Sequence, residues 1–229
     1  MNKKILVLVI VSVLSLSLVS YASDNLDNIA KSKACVEQAR EFTRKSDFVN
    51  AEKKLNEAIK LNNKNDEAYF YLGRYWGYWG ARKDSKRAVE YFSKAISINP
   101  QKDEYYIQRA AEESLLNDLK SAIKDFNKAI EINPRNQFAY IALGTLHGKY
   151  GYFKEALDYF NKAIEYSDGA IEDLYVFRSE VKVYLKDYAG AIEDLKKAMN
   201  IAKKKNVKEL VIKLNDQIKD IQAGMEVFK

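Results

Sequence analysis

The chain has 229 residues, with 38 Lys and Arg against 32 Asp and Glu, a formal charge of +6. That mild balance argues against a nucleic-acid surface, which calls for a strongly basic stripe or patch. With one histidine, His147, and one cysteine, Cys35, a single chain can build neither an internal disulfide nor a zinc site of ordinary composition.

Residues 1–22 read as an export signal. Asn2, Lys3 and Lys4 make a short charged start. Ile5 to Val19 is an apolar run broken only by serines, and Ser20-Tyr21-Ala22 puts small residues where a signal peptidase reads. The run of 15 residues is shorter than the ~20 of a membrane-spanning helix. Cleavage after Ala22 is expected, the alternative being an uncleaved anchor. A lipoprotein signal is not expected, because Cys35 stands 13 residues past Ala22, behind Lys31 and Lys33. Cleavage would leave about 207 residues, 36 basic and 32 acidic, with no stable membrane span and a periplasmic or secreted location.

Residues 23–31 form a short lead-in. Beyond them a nine-residue phrase recurs five times. It reads AEKKLNEAI from Ala51, AVEYFSKAI from Ala88, AIKDFNKAI from Ala122, ALDYFNKAI from Ala156 and AIEDLKKAM from Ala191. The starts are 37, 34, 34 and 35 residues apart, a period that signals stacked structural repeats. Within each phrase a small, a bulky apolar and a second small residue fall at offsets 0, 4 and 7, as in Ala88, Phe92 and Ala95. Those offsets share one face of an α-helix. The two prolines, Pro100 and Pro134, each follow an asparagine at the end of a phrase, where proline discourages further helix.

A second helical stretch precedes each phrase. Two of these carry an aromatic, then Leu and Gly: Tyr69, Leu72 and Gly73, and Tyr140, Leu143 and Gly144. A glycine in mid-helix costs roughly 0.5–1 kcal/mol of propensity, so a close approach by the partner helix is expected there.

Helix, turn, helix at this period resembles the tetratricopeptide repeat. The resemblance implies an all-α, right-handed solenoid of about five antiparallel helix pairs, over residues 32–65, 66–102, 103–136, 137–170 and 172–205. Residues 103–136 and 172–205 depart from it with Arg109 and Arg178 where Leu is usual, and 32–65 matches least, with Asn63 in place of proline. The stretch GYWGARKDS adds three residues to the second repeat and also resembles the longer turn of Sel1-type repeats. Residues 206–229 carry the stripe Val207, Leu210, Val211, Leu214, Ile218 and Ile221, suited to a terminal capping helix. A surface-bound amphipathic helix would show the same pattern.

No catalytic constellation stands out, and no cofactor is expected. Phosphate-binding glycine loops are absent from the sequence. The acidic pairs Glu112-Glu113, Glu172-Asp173 and Glu193-Asp194 read as surface charge, and Asp168-Gly169 reads as a turn. His147 and Cys35 are expected to pack. The chain is therefore expected to be a non-catalytic binding module for a protein or peptide, monomeric, with no nucleic-acid partner.

The family resemblance implies a concave groove lined by the first helices. It would comprise Val36, Arg40, Thr43 and Arg44; Phe70, Arg74 and Tyr78; Ile107, Ala111 and Leu115; Phe138, Ile141, Thr145 and Lys149; and Val176, Glu180 and Tyr184. Some relatives grip a peptide carboxylate with Lys, Asn and Arg on these faces. This chain has Arg40, Arg44 and Arg74 there but no matching asparagines, which favours an apolar segment instead. The aromatic cluster of Tyr69, Phe70, Tyr71, Tyr75, Trp76, Tyr78 and Trp79 leaves two alternatives open: internal packing, or contact with a ligand such as a cell-wall glycan. End-to-end self-assembly is a third, structural alternative.

Overall fold

The computed structural model describes residues 3–80, 83–167 and 171–227. The first two residues of the expected export signal (1–2), the middle of the long turn (81–82) and Asp168-Gly169 lie outside the described residues. The described residues form helices and connecting turns, with no strand among them. They divide into two compact units, one running to Leu119 and the other starting at Lys120.

The first unit holds α1 (Lys3–Arg44), α2 (Phe48–Leu61), α3 (Asp66–Arg74), α4 (Ser85–Ile98) and α5 (Asp103–Leu115). α1 runs without a break through the expected cleavage point, and its C-terminal half packs on α2. Cys35, Val36 and Ala39 meet Ala51, Leu55 and Ala58 in one buried cluster. Asp47 and Asn65 cap α2 and α3 by accepting from the N–H groups of Asn50 and Ala68, which satisfies helix-end donors that would otherwise be orphaned. Asn65 also donates to Ser32 Oγ at 2.8 Å, and that hydroxyl donates to the Ala58 carbonyl at 2.7 Å. A buried hydrogen-bond chain thus ties one helix pair to the next.

The second unit holds most of α6 (Leu119–Ile132), then α7 (Gln137–Lys149), α8 (Phe153–Glu165), α9 (Glu172–Tyr184), α10 (Tyr188–Lys204) and α11 (Lys208–Val227). Leu214 and Ile218 of α11 pack with Leu195 and Ala198 of α10. Val207, expected at the head of the stripe, lies in the turn before α11 and is exposed.

The recurring phrase behaves as its spacing requires. Its small, bulky and small positions are at most 3% exposed in all five copies, from Ala51, Leu55 and Ala58 to Ala191, Leu195 and Ala198. The glycines sit opposite the bulky residue of the paired helix. A Cβ on Gly73 would stand 2.6 Å from the Phe92 ring, and one on Gly144 would stand 3.0 Å from the Phe160 ring.

Two acidic pairs correct the expectation of surface charge. Glu112 and Asp194 are 0% exposed and Glu113 is nearly buried. Asp194 accepts from Arg178 Nε and Nη2 and pairs with Lys182. The arginine that departs from the repeat pattern therefore has a buried counter-ion, and Arg109 stands at the same spacing from Asp125 in the sequence. Glu112 fits because Gly77 leaves room for it; a Cβ there would overlap Glu112 Oε1. Glu172 reaches Lys205 at 2.6 Å, and this bond, ahead of any other influence, holds its carboxyl below the usual range. His147 is half-buried, with Nδ1 2.9 Å from the Leu143 carbonyl and its ring 4.9 Å from that of Tyr159. Cys35 is buried, and that burial pushes its thiol up.

Candidate functional site

In the first unit, α3 does not end as an ordinary helix. Tyr75–Trp79 forms a π-helical turn in which Gly80 N–H donates to the Tyr75 carbonyl at 2.6 Å. Such a turn inserts a residue and rotates every later side chain around the axis. Phe70, expected on the groove lining, is instead in the core at 3% exposure. It stacks on Tyr105 with centroids 4.7 Å apart and also meets Phe92, because α5 lies directly over that face.

The aromatic cluster is largely occupied with itself. Arg74 lies 4.3 Å from the Trp79 centroid and Arg87 lies 4.1 Å from that of Trp76, contacts that stabilise by roughly 0.5–2 kcal/mol each. Tyr71 stacks against Trp79. Among the seven aromatics Tyr78 alone is exposed, at 42%. Its hydroxyl is pushed up by partial burial and then by the nearby Glu112 carboxylate. This arrangement leaves little open ring face for a sugar to stack on. Arg40 is tied to Glu37 at 2.7 Å, Arg44 is exposed in the last turn of α1, and Ile107 is half-buried.

In the second unit, Phe138 at 71% and Tyr184 at 67% are well exposed. Ile141 and Val176 are half-buried, and Val176 packs toward the α10–α11 cluster. Thr145, Lys149, Glu180 and Tyr184 converge on one pocket between α7 and α9, of about 370 Å³. Its floor comes from Phe153, Phe160, Phe177 and Val181. Tyr184 stacks flat on Phe153, with centroids 4.4 Å apart and planes at 5°. Thr145 Oγ1 donates to the Ile141 carbonyl, so its methyl is left for the pocket. Burial pushes the Glu180 carboxyl up, opposed by nearby Lys213.

Phe153, Phe160 and Phe177 are pocket residues that the sequence does not single out. Phe160 carries the bulky position of the recurring phrase, which marks it as scaffold. Phe177 stands one position beyond Val176, so simple repeat correspondence passes over it. Among the described residues, no group of three or more His, Cys, Asp or Glu side chains is placed to hold a metal ion.

Residues 81–102, 103–136 and 139–168 match the tetratricopeptide-repeat family model. Those residues carry tetratricopeptide repeats. Solved structures share the fold at low identity. The crystal structure of MamA protein is 20% identical, covering 77% of this chain and 94% of that one, with a TM-score of 0.66. YrrB, described as a TPR protein with an unusual peptide-binding site, is 20% identical over 80% of this chain and 90% of its own, at 0.62. PilW, described as a widely conserved type IV pilus biogenesis factor, is 20% identical over 82% and 92%, at 0.63. No curated protein matches the sequence. At such identities the likeness shows the fold alone.

Proposed function

We propose that the chain is an exported, non-catalytic interaction module that holds an extended or helical peptide segment of a partner protein on its first-helix faces. The observation that carries this reading is the exposed aromatic Tyr184 on the wall of an apolar pocket of about 370 Å³, with a second exposed aromatic, Phe138, on α7. Exposed rings around a preformed pocket lose little on binding and gain from desolvation. In the first unit, Arg40, Arg44, Arg74, Tyr78 and Ile107 are the candidate contacts, with Phe70 acting from beneath. The unusual peptide-binding site described for YrrB fits the same use of the fold.

A photoreactive amino acid at Phe138 or Tyr184 is expected to crosslink a partner in the native cell, whereas the same group at Lys154, exposed on α8, is not. With the photoreactive group at Lys149 instead, the double substitution Phe138→Ser and Tyr184→Ser should lower adduct yield at least about tenfold, with helical circular dichroism unchanged. Adducts formed equally from Lys154 would sink the assignment of the binding face.

Export belongs to the same proposal, with cleavage after Ala22 and a Sel1-like turn in the second repeat. Among the described residues no helix is long and apolar enough to cross a membrane. Edman sequencing of the protein recovered outside the cytoplasm is expected to begin at Ser23; a sequence beginning at Met1 would replace the cleaved signal with an anchor.

A further inference from the structure

We propose that the second unit holds a pocket for a lysine or arginine side chain of the bound peptide, beside the apolar pocket. This rests on the peptide-binding reading above. The pocket lies where α9, α10 and α11 meet and has a volume of about 300 Å³. Val183, Leu195 and Ile221 supply apolar wall, against which the methylene stem of a long basic side chain can lie.

The charged side chains lining this space are both acidic. They are the side chains of Glu180 and Asp220, with Ser179, Tyr184 and Gln217 as the other polar residues of the lining. Gln217 Oε1 is closed off from solvent and receives no hydrogen bond among the described residues. The Ser179 hydroxyl already donates to the Val176 carbonyl at 2.7 Å, so it offers the pocket no proton. Neither Glu180 nor Asp220 has an ion-pair partner among the described residues. Lys213 lies near enough to favour the charged form of Glu180, yet burial still dominates there. The Glu180 carboxyl, which feels burial and has no bonded cation among the described residues, gains when one is supplied, and Asp220 adds a second, solvent-exposed carboxylate. An acidic head group would meet like charge on both sides.

Glu180 and Tyr184, one turn apart on α9, line this pocket and the apolar one. A peptide crossing α9 therefore meets two neighbouring demands, an apolar side chain on one side and a basic one on the other.

The test uses end-blocked, fluorescein-labelled peptides with one Phe and one Lys separated by one, two or three glycines. They are titrated onto the full chain alongside versions with norleucine for Lys or Ala for Phe. At least one Phe–Lys peptide is expected to bind, with its norleucine version about tenfold weaker, as loss of a charged hydrogen bond predicts. In the variant Glu180→Gln with Asp220→Asn, that tenfold difference should vanish while the dependence on Phe persists. Equal binding of Lys and norleucine peptides, with Phe still required, overturns the basic pocket and leaves the apolar groove standing. Spermidine competing as well as the peptide overturns the assignment to a peptide side chain. Failure of every peptide to bind overturns this proposal, and the Phe138 and Tyr184 crosslinks then decide the broader reading separately.

Discussion

Replacing Asp194 with alanine is expected to destabilise the second unit by about 3–5 kcal/mol, because it strands two cations inside the fold. Asp194 is fully buried, with Arg178 donating from Nε at 2.8 Å and Nη2 at 2.6 Å, and Lys182 at 2.8 Å. Arg178 also donates to Asn161 at 2.8 Å, so the network joins α8, α9 and α10. At roughly 2–4 °C per kcal/mol for a chain of this size, the midpoint of thermal unfolding should fall by about 10 °C. Urea titration followed at 222 nm measures the loss directly, and a change below about 1 kcal/mol, the scale of an exposed pair, would show that the network contributes little. A triple change, Asp194→Leu, Arg178→Leu and Lys182→Met, removes all three charges together. It should recover most of the stability, since apolar replacement of a buried ion network is often neutral or better.

The same network makes stability depend on pH. Burial alone would push the Asp194 carboxyl up, but the bonds from Arg178 and Lys182 outweigh it, and the group is held below the ordinary aspartate value. A depressed folded value means that the contribution is complete above the unfolded value of about 3.9. It is lost as pH falls through the lower folded value. The wild type should therefore lose stability steeply in acid, while Asp194→Asn, weaker at neutral pH, should show a flatter profile over that window.

Phe92→Ala is expected to cost about 3–5 kcal/mol in the first unit, the usual toll of emptying a core aromatic site. Phe92 is 0% exposed and packs with Phe70, Ala88, Ala95 and Tyr105. Gly73→Ala probes the same contact from the other helix. On propensity alone it should stabilise by roughly 0.5–1 kcal/mol. The new methyl would instead stand 2.6 Å from two ring carbons of Phe92, and overpacking of this kind costs about 1–3 kcal/mol. Combining Gly73→Ala with Phe92→Leu should lose less than the two single changes add up to, because the smaller side chain makes the room that alanine needs. Simple additivity in urea unfolding would refute the close approach of α3 and α4.

Much of this is legible in the order of residues. Alanine, Phe or Leu, and alanine at offsets 0, 4 and 7 name one helix face, and that face is the buried one in every copy. Gly73 and Gly144 announce close approaches at the positions where they occur. The candidate lining is only partly legible. Thr145, Lys149, Glu180 and Tyr184 do come together, whereas Phe70 turns into the core. Repeat correspondence names a helix face but not what covers it, and Tyr105 and Phe92 close over Phe70; the π-helical turn at Tyr75–Trp79 shifts the register only from there onward.

The sequence by itself determined the helical repeat, because period and small–bulky–small spacing are local properties of the chain. The tertiary structure alone decided which charges and rings are free. Whether Asp194 is a surface acid or a buried anion depends on Arg178 reaching it from another helix, and whether Trp79 is an open platform depends on Arg74 covering it. Burial and pairing are sums over neighbours that a helical period does not encode, and those sums leave Phe138 and Tyr184 exposed while they bury Phe70 and Asp194.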